Sequence, residues 1–277
     1  MLEITVAVVQ TFPQLGKVED NLIAMGKFVD QICTEQKTNL IVFPELATSG
    51  YELGLRFTDV AERVPGHAVN LLAQRAADYG TYIVFGLVTK EKVESVIYNA
   101  AVIVGPDGEM LGEYRKLHLP GEERLAFRPG YRLPVFETGF GQVGILIGWD
   151  LAFPEAARSL ALDGAELICV CANWGHPPAQ DPVPFAEEWR TYVQARALEN
   201  SLYVVASNRV GEEYSYRFLG ESMIVGPRGE LYASIDEQIE GYAIASIDLD
   251  RVRQAREELQ LIQCRVPQSY RAIVRRY

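Results

Sequence analysis

Polar groups occupy four positions of this sequence at which short apolar runs come to an end. They are Glu45, Lys116, Asn173 and the turn formed by residues 148–150. Functional groups of α/β proteins gather at the carboxyl ends of strands, so we expect these positions to share one site. A carboxylate and an ammonium held together there could act as a general base and as a stabiliser of a developing oxyanion.

Glu45 follows Pro44 and is flanked by the apolar residues Phe43 and Leu46. Removal of a carboxyl group from water raises its pKa toward the range of a working general base. The lysine of the predicted site, Lys116, could then stabilise negative charge on a substrate oxygen. The spacing alone leaves a second interpretation open, in which the two residues form an ordinary ion pair or remain solvated at the surface.

The turn at residue 148 has the pattern of an elbow that exposes a nucleophile. An apolar run from Val143 to Ile147 predicts a buried strand, and a helix is predicted to start near Pro154. A strand that runs through a sharp turn into a helix commonly presents one reactive side chain. Here the residue at the turn is Gly148, which has no side chain.

Strands and helices alternate with hairpins along the whole sequence, and no linker or change of composition interrupts them. The predicted strands cover residues 3–11, 39–43, 81–86, 95–104, 109–115, 143–147, 166–172, 202–207, 223–225, 231–235 and 242–247, and the predicted helices cover residues 20–36, 68–79, 154–163, 185–200 and 252–261. This order predicts a single domain over residues 1–277, with two mixed β-sheets packed face to face and helices outside them.

Composition limits the classes of partner. The 277 residues carry a net charge of −11, which argues against nucleic acid or an anionic membrane as a partner. The sequence shows no signal peptide and no apolar run long enough to span a bilayer. Its cysteines, which lack zinc-type spacing, are Cys33, Cys169, Cys171 and Cys264. The simplest interpretation is a cytoplasmic, reduced protein.

Three segments, residues 43–46, 114–119 and 147–155, resemble in order the three signature blocks of the nitrilase superfamily, the carbon–nitrogen hydrolases. Residues 196–200 and 207–211 also resemble segments of that family, so the resemblance covers nearly the whole chain. It implies an α/β fold, a four-layer αββα sandwich of two mixed β-sheets. It also implies homo-oligomers, dimeric or larger, that assemble through the outer helices, and neither cofactor nor metal.

The resemblance also assigns roles to single residues. The base of the family falls on Glu45, its lysine on Lys116, a second glutamate on Glu123 and its nucleophilic cysteine on Gly148. In an intact member the base takes the thiol proton, and the thiolate attacks an amide or nitrile carbon. The lysine and the backbone N–H of Trp149 would hold the oxyanion.

The glycine at the nucleophile position predicts an inactive form, because loss of the covalent nucleophile removes most of the rate enhancement. Cys169 and Cys171 lie in a predicted buried strand that ends before Asn173, so we expect structural burial of both. Two explanations remain. We favour an engineered mutant of the catalytic cysteine in an amidase that keeps Glu45 and its partners, over a natural pseudoenzyme that binds a ligand.

The expected ligand is a small amide, aliphatic or carbamoyl, and a nitrile is the alternative. Substrate-binding positions are expected at Tyr51, Trp149, Asn173 and Trp174, although Tyr51 and Trp174 could equally be packing residues. His176 could line the same pocket, but a histidine in a proline-rich loop is more often structural or solvated.

Two further segments carry open expectations. Arg209 could pair with a substrate carboxylate or anchor the loop that contains Glu212 and Glu213. The C-terminal tail, about residues 262–277, is irregular and basic, and we expect it to pack on a partner subunit.

Overall fold

The computed structural model of the chain describes residues 2–93, 95–236 and 238–275. The strands are β1 (Glu3–Gln10), β2 (Leu40–Val42), β3 (Tyr82–Lys90), β4 (Ile97–Val104), β5 (Met110–Arg115), β6 (Val135–Thr138), β7 (Gly141–Ile147), β8 (Leu167–Ala172), β9 (Gly175–His176), β10 (Tyr203–Asn208), β11 (Val210–Glu212), β12 (Arg217–Leu219), β13 (Met223–Val225), β14 (Leu231–Ser234) and β15 (Gly241–Asp248). The α-helices are α1 (Val18–Glu35), α2 (Phe57–Val60), α3 (His67–Tyr79), α4 (Glu123–Ala126), α5 (Pro154–Leu162), α6 (Val183–Asn200) and α7 (Asp250–Leu259).

Two large mixed sheets form the centre of the described part of the chain. The first has the strand order β15-β1-β2-β3-β4-β5, and the second has the order β14-β13-β10-β8-β7-β6. In the first, β1 runs parallel to β2 and antiparallel to β15. In the second, β7 runs parallel to β8 and antiparallel to β6. A separate three-stranded sheet has the order β11-β12-β9.

Alternation along β1 shows how the layers are built. Val6 and Val8 belong to the apolar cluster shared with the second sheet, whereas Ala7 and Val9 belong to the cluster shared with α1 and α3. Side chains of a strand point to opposite faces in turn, so one strand serves two cores. Buried residues of α5 and α6 pack in the cluster that contains the second sheet. The predicted four-layer αββα sandwich is therefore confirmed.

The predicted helices and strands are present within a few residues of their expected bounds. Sequence periodicity does not predict β6, β9, β11, β12 or the helix α4, which interrupts the expected loop from Lys116 to Gly130. These elements are two to four residues long, too short to display a period of two or of 3.6. They form because neighbouring segments supply the partner strands and the packing.

None of the helices in the described ranges is long and apolar enough to cross a membrane.

Candidate active site

Strand ends of both sheets meet at one place. Glu45 follows the end of β2 by three residues, whereas Lys116, Gly148 and Asn173 come directly after β5, β7 and β8. The structure brings these four positions together: the Glu45 carboxylate accepts from Lys116 Nζ and from the Asn173 N–H, and a Cβ built on Gly148 would touch it.

Lys116 lies between two carboxylates. Its Nζ donates to Glu45 Oε1 at 2.7 Å and to both oxygens of Glu123 at 2.8 and 2.9 Å. All three residues are buried, with exposures of 2% for Lys116, 1% for Glu45 and 7% for Glu123. The arrangement is not a solvated surface pair, and desolvation at this depth makes such charges costly unless they are matched. The three groups therefore act as one electrostatic unit.

Asn99 is a member of the site that sequence reasoning missed. Its Nδ2 donates to Glu45 Oε1 at 2.6 Å and lies 3.5 Å from Glu123 Oε2. The residue is buried in the middle of β4. A single amide within the apolar run from Ile97 to Val104 was the available indication, because a buried polar group requires a partner.

The pKa of Glu45 is set chiefly by its burial. Removal of this carboxyl from water raises its pKa to about 7, the Lys116 ammonium opposes the rise, and the Glu123 charge adds to it. A pKa near neutrality is the range in which a carboxylate accepts and returns protons efficiently. The expectation from the apolar neighbours of Glu45 agrees with this result.

The pKa of Lys116 is also raised, although burial acts on it in the opposite direction. Burial lowers this pKa, but the charges of Glu123 and Glu45 together outweigh burial and raise it above the ordinary lysine value. Lys116 therefore stays protonated at neutral pH, as a group that stabilises an oxyanion must.

Asp150 fixes the turn that contains Gly148. Its Oδ2 accepts from the Ile147 N–H at 3.2 Å and from the Tyr114 hydroxyl at 2.6 Å. Its Oδ1 accepts from the His118 N–H at 2.9 Å and lies 2.8 Å from the ring Nδ1 of the same residue. The buried carboxylate thus ties the end of β7 to the segment after β5, which also positions Lys116.

Gly148 adopts a φ of +45°, in the left-handed region that residues with a Cβ rarely enter. A Cβ built on this residue would lie inside contact distance of Glu45 Oε2 and 3.4 Å from Lys116 Nζ. A side chain at position 148 would therefore point straight at the carboxylate and the ammonium. Strained backbone at a strand-to-helix turn is typical of a nucleophile elbow.

Gly86 allows the backbone of the Glu45 segment to approach β3. A Cβ on this glycine would lie 2.5 Å from the Leu46 nitrogen and 2.7 Å from the Glu45 Cα. No larger residue fits without displacing the segment, so the glycine sets the depth at which the carboxylate enters the site.

A cavity of about 240 Å³ opens over the cluster. Its lining consists of Glu45, Tyr51, Lys116, Pro120, Glu123, Gly148, Trp149, Asn173, Trp174, Gly175, Phe185, Glu188 and Tyr216. The four positions expected to bind substrate, Tyr51, Trp149, Asn173 and Trp174, are all part of this wall. Phe185, Glu188 and Tyr216 were not anticipated, since they come from α6 and from the turn before β12.

Tyr51 and Asn173 also contact the charged cluster directly. The Tyr51 hydroxyl donates to Glu123 Oε1 at 2.9 Å. The backbone N–H of Asn173 donates to Glu45 Oε2 at 3.1 Å. Each residue therefore orients one of the carboxylates while it borders the cavity.

The two cysteines of β8 are not among the described residues that line the cavity. Cys169 and Cys171 are fully buried, and both are free. Burial raises the pKa of both thiols well above the ordinary thiol value, so neither forms a thiolate at neutral pH. The expectation that they are structural agrees with this placement.

The structure favours the interpretation in which Arg209 anchors the loop that contains Glu213. Its Nη1 donates to Glu213 Oε1 at 2.6 Å, and both side chains are buried. His176 is likewise buried, with its Nδ1 2.9 Å from the Pro177 carbonyl oxygen. Neither Arg209 nor His176 is one of the described residues that line the cavity.

The described ranges contain no group of three or more histidine, cysteine, aspartate or glutamate residues placed to hold a metal ion. The polar groups of the cavity are those of acid–base chemistry.

The two mixed sheets with helices outside define an α/β protein of the αββα sandwich class, with a buried carboxylate–ammonium site at its strand ends. The model of the carbon–nitrogen hydrolase family matches residues 5–257. The chain therefore belongs to the carbon–nitrogen hydrolases, the nitrilase superfamily, and the resemblance of the three sequence blocks is confirmed.

Relatives of this family include both nitrilases and amidases. A probable nitrilase of Schizosaccharomyces pombe is 38% identical over 277 residues, which cover 99% of each protein. An N-carbamoylputrescine amidase of Solanum lycopersicum is 32% identical over 288 residues, which cover 98% of this chain and 95% of the relative.

A solved structure extends the similarity to three dimensions. A variant of the amidase from Nesterenkonia sp. AN1 matches with a TM-score of 0.78 and 27% identity, over 93% of this chain and 95% of that one. That structure is described as showing covalent addition of the acetamide moiety of fluoroacetamide at the active-site cysteine of that amidase.

Proposed function

We propose that this chain is a hydrolase of small non-peptide amides, aliphatic or carbamoyl, whose nucleophile position is occupied by Gly148. One observation carries the proposal. Lys116 is hydrogen-bonded to both Glu45 and Glu123, and a side chain at position 148 would point at this cluster. The family places a thiol at that position, where a base and an oxyanion stabiliser are needed.

With a cysteine at position 148, the reaction follows from the positions of these groups. Glu45 accepts the thiol proton, and the thiolate sulfur forms a bond to the amide carbon. Lys116 and the backbone N–H of Trp149 stabilise the negative oxygen of the tetrahedral intermediate. The carbon–nitrogen bond breaks, and the proton held by Glu45 leaves with the nitrogen as ammonia.

The second half of the reaction regenerates the thiol. A water molecule gives a proton to Glu45, and its oxygen attacks the thioester carbon. The carbon–sulfur bond then breaks, and the proton returns from Glu45 to sulfur. One amide and one water are consumed, and one acid and one ammonia are formed.

The remaining residues of the cavity position the substrate in this proposal. Glu123 fixes the Lys116 ammonium and orients the substrate amide. Tyr51, Trp149, Asn173 and Trp174 form the wall against which the acyl part packs. The aromatic surfaces of Tyr51, Trp149 and Trp174 exclude water, which strengthens the electrostatic contacts inside the cavity.

A nitrile is the second candidate substrate, because the Schizosaccharomyces pombe relative is named a probable nitrilase. The amidases of Solanum lycopersicum and Nesterenkonia support the amide. Both substrates require the same attack by sulfur on an electrophilic carbon, so the cluster geometry serves either. Products distinguish them, since a nitrile consumes two water molecules for each ammonia released.

We infer that the glycine form does not turn over its substrate. Retention of Glu45, Lys116 and Glu123 in one buried cluster supports an engineered replacement of a catalytic cysteine. The alternative is a natural pseudoenzyme that binds a small amide without hydrolysing it.

Replacement of the glycine tests the proposal. We expect Gly148→Cys to release ammonia from a panel of small amides, whereas the glycine form and Gly148→Ala release none. The alanine variant is the matched control, because it bears the same left-handed strain, about 1–2 kcal/mol, without a sulfur. Ammonia release by all three forms, or by none on amides and nitriles alike, contradicts the proposal.

The proposal includes a homo-oligomeric assembly and a cytoplasmic location. Exposed apolar residues in the C-terminal tail support assembly, and the free cysteines favour a reducing compartment.

A further inference from the structure

We propose that Glu188 makes the outer part of the cavity a site for a cationic group. The preferred substrate is then a short amide with an ammonium or guanidinium at the end remote from the amide. This inference rests on the proposed function and specifies its substrate class.

The charges that line the cavity are unequal. Three carboxyl groups, those of Glu45, Glu123 and Glu188, border it together with a single ammonium. Lys116 is the only basic residue of this wall among those the structure describes, and its Nζ is bound by two of the carboxylates. An anionic substrate group would find no free counter-charge here, whereas a cationic group would find the third carboxylate.

Glu188 differs from the other two carboxylates in depth. Glu45 and Glu123 are buried at the closed end of the cavity, but Glu188 is exposed. It lies on α6 three residues after Phe185, which also lines the cavity, so the two side chains share one face of the helix. A substrate with its amide at Lys116 would therefore have its far end directed outward toward Glu188.

The Glu188 carboxylate is held in place by a neighbouring tyrosine. The Tyr192 hydroxyl donates to Glu188 Oε1 at 3.2 Å. The Tyr192 ring in turn packs against Trp174, with ring centroids 5.6 Å apart in a T-shaped arrangement. This contact keeps the carboxylate beside the aromatic wall of the cavity, so less side-chain entropy is lost when a cation binds.

The aromatic lining favours the same ligand. Tyr51, Trp149, Trp174, Phe185 and Tyr216 all border the cavity. The faces of such rings attract ammonium and guanidinium groups through their quadrupoles. A cavity of about 240 Å³ suits a short substrate.

Binding to the glycine chain itself tests this inference, because we expect that chain to hold an amide intact. The probes are three amides of matched length: 4-aminobutanamide, which ends in an ammonium, pentanamide, which ends in a methyl group, and succinamate, which ends in a carboxylate. Isothermal titration calorimetry gives the dissociation constant of each. We expect 4-aminobutanamide to bind most tightly and succinamate least.

Two variants assign the preference to one residue. We expect Glu188→Gln to weaken 4-aminobutanamide binding about two- to fivefold, the range of an exposed ion pair, because the aromatic rings of the wall remain. Pentanamide binding should stay the same. Glu187→Gln is the matched control, since this neighbour is also exposed but is not among the described residues that line the cavity, and it should change the binding of neither amide.

Three results would overturn the inference: tighter binding of pentanamide or succinamate, an equal effect of Glu188→Gln on all three amides, or binding of none of them. The ammonia-release assay of Gly148→Cys distinguishes failure of the cation-site inference from failure of the hydrolase proposal. Hydrolysis without a preference for the ammonium amide removes only the present inference. A charge preference in binding without hydrolysis by that variant removes the hydrolase proposal and leaves the cation site.

Discussion

Glu45 shows how burial of one residue can set its chemistry. Its carboxyl group is removed from water, and its pKa of about 7 lies well above the ordinary glutamate value. The Lys116 ammonium lowers this pKa and prevents a larger rise. A base of this kind is largely protonated in mildly acidic solution and ionised in mildly alkaline solution, which gives a prediction for activity.

We predict that kcat/KM of the Gly148→Cys variant rises with pH through a midpoint near 7. The reason is that the free enzyme needs Glu45 ionised before it can accept the thiol proton. A pH–rate profile on a neutral amide measures the midpoint. A profile that is flat between pH 5.5 and 8.5 would show that the ionisation of Glu45 does not control the reaction.

The same residue can be followed without activity. In the glycine chain, carbon-13 NMR of the glutamate carboxyl groups should show Glu45 titrating near pH 7. Lys116→Met should move the midpoint upward, because the cation that favours the ionised carboxylate is lost. Lys37→Met, at an exposed position outside the site, is the control and should leave the midpoint where it was.

The buried ion pair of Arg209 and Glu213 holds the loop that contains Tyr51 in place. Glu213 accepts from the backbone N–H groups of Tyr51 at 3.1 Å and Glu52 at 2.6 Å, and from Arg209 Nη1 at 2.6 Å. Tyr51 in turn donates to Glu123. The residues on either side of β11, Arg209 and Glu213, are thereby connected to the charged cluster.

We predict that Glu213→Gln destabilises the fold by about 3 kcal/mol, because it leaves the Arg209 charge buried without a counter-ion. Glu212→Gln is the matched control. That neighbour pairs with Arg217 at the surface, where side-chain exposures of 48% and 47% leave the pair solvated. We expect a change within about 0.5 kcal/mol there. Urea unfolding of both variants measures the difference, and equal effects would contradict the role of Glu213.

At the scale of the whole molecule, the C-terminal tail exposes several apolar side chains. Val266, Ile273 and Val274 are 43%, 58% and 84% exposed. Exposed apolar residues also occur on the outer helices, at Leu162 of α5 and Leu198 of α6. Several apolar side chains exposed together commonly mark a protein–protein contact.

We predict that the chain is a dimer or larger in solution and that Ile273→Ser shifts it toward the monomer. Ile239→Ser is the control, because Ile239 is 57% exposed, as Ile273 is, but lies in the segment before β15. Light scattering coupled to size-exclusion chromatography measures the mass. A monomeric unaltered chain, or an equal effect of both substitutions, would exclude assembly through the tail.

Much of this protein follows from local sequence patterns. Apolar runs predict the long strands, helical spacing predicts α1, and the ends of the runs predict Glu45 and Lys116 as site residues. The order of the three family blocks predicts that Gly148 occupies the nucleophile position. Each of these inferences depends on residues that are adjacent in the chain or on a fixed order of motifs.

Only the tertiary structure brings the distant members of the site together. Asn99 contacts Glu45 across 54 positions of the chain, and the Asn173 N–H reaches the same carboxylate across 128. Glu188 reaches the cavity because α6 packs beside it. Burial and the placement of opposite charges, which set the pKa of Glu45, depend on every layer of the sandwich. No single stretch of sequence contains that information, because solvent exclusion is a property of the packed chain.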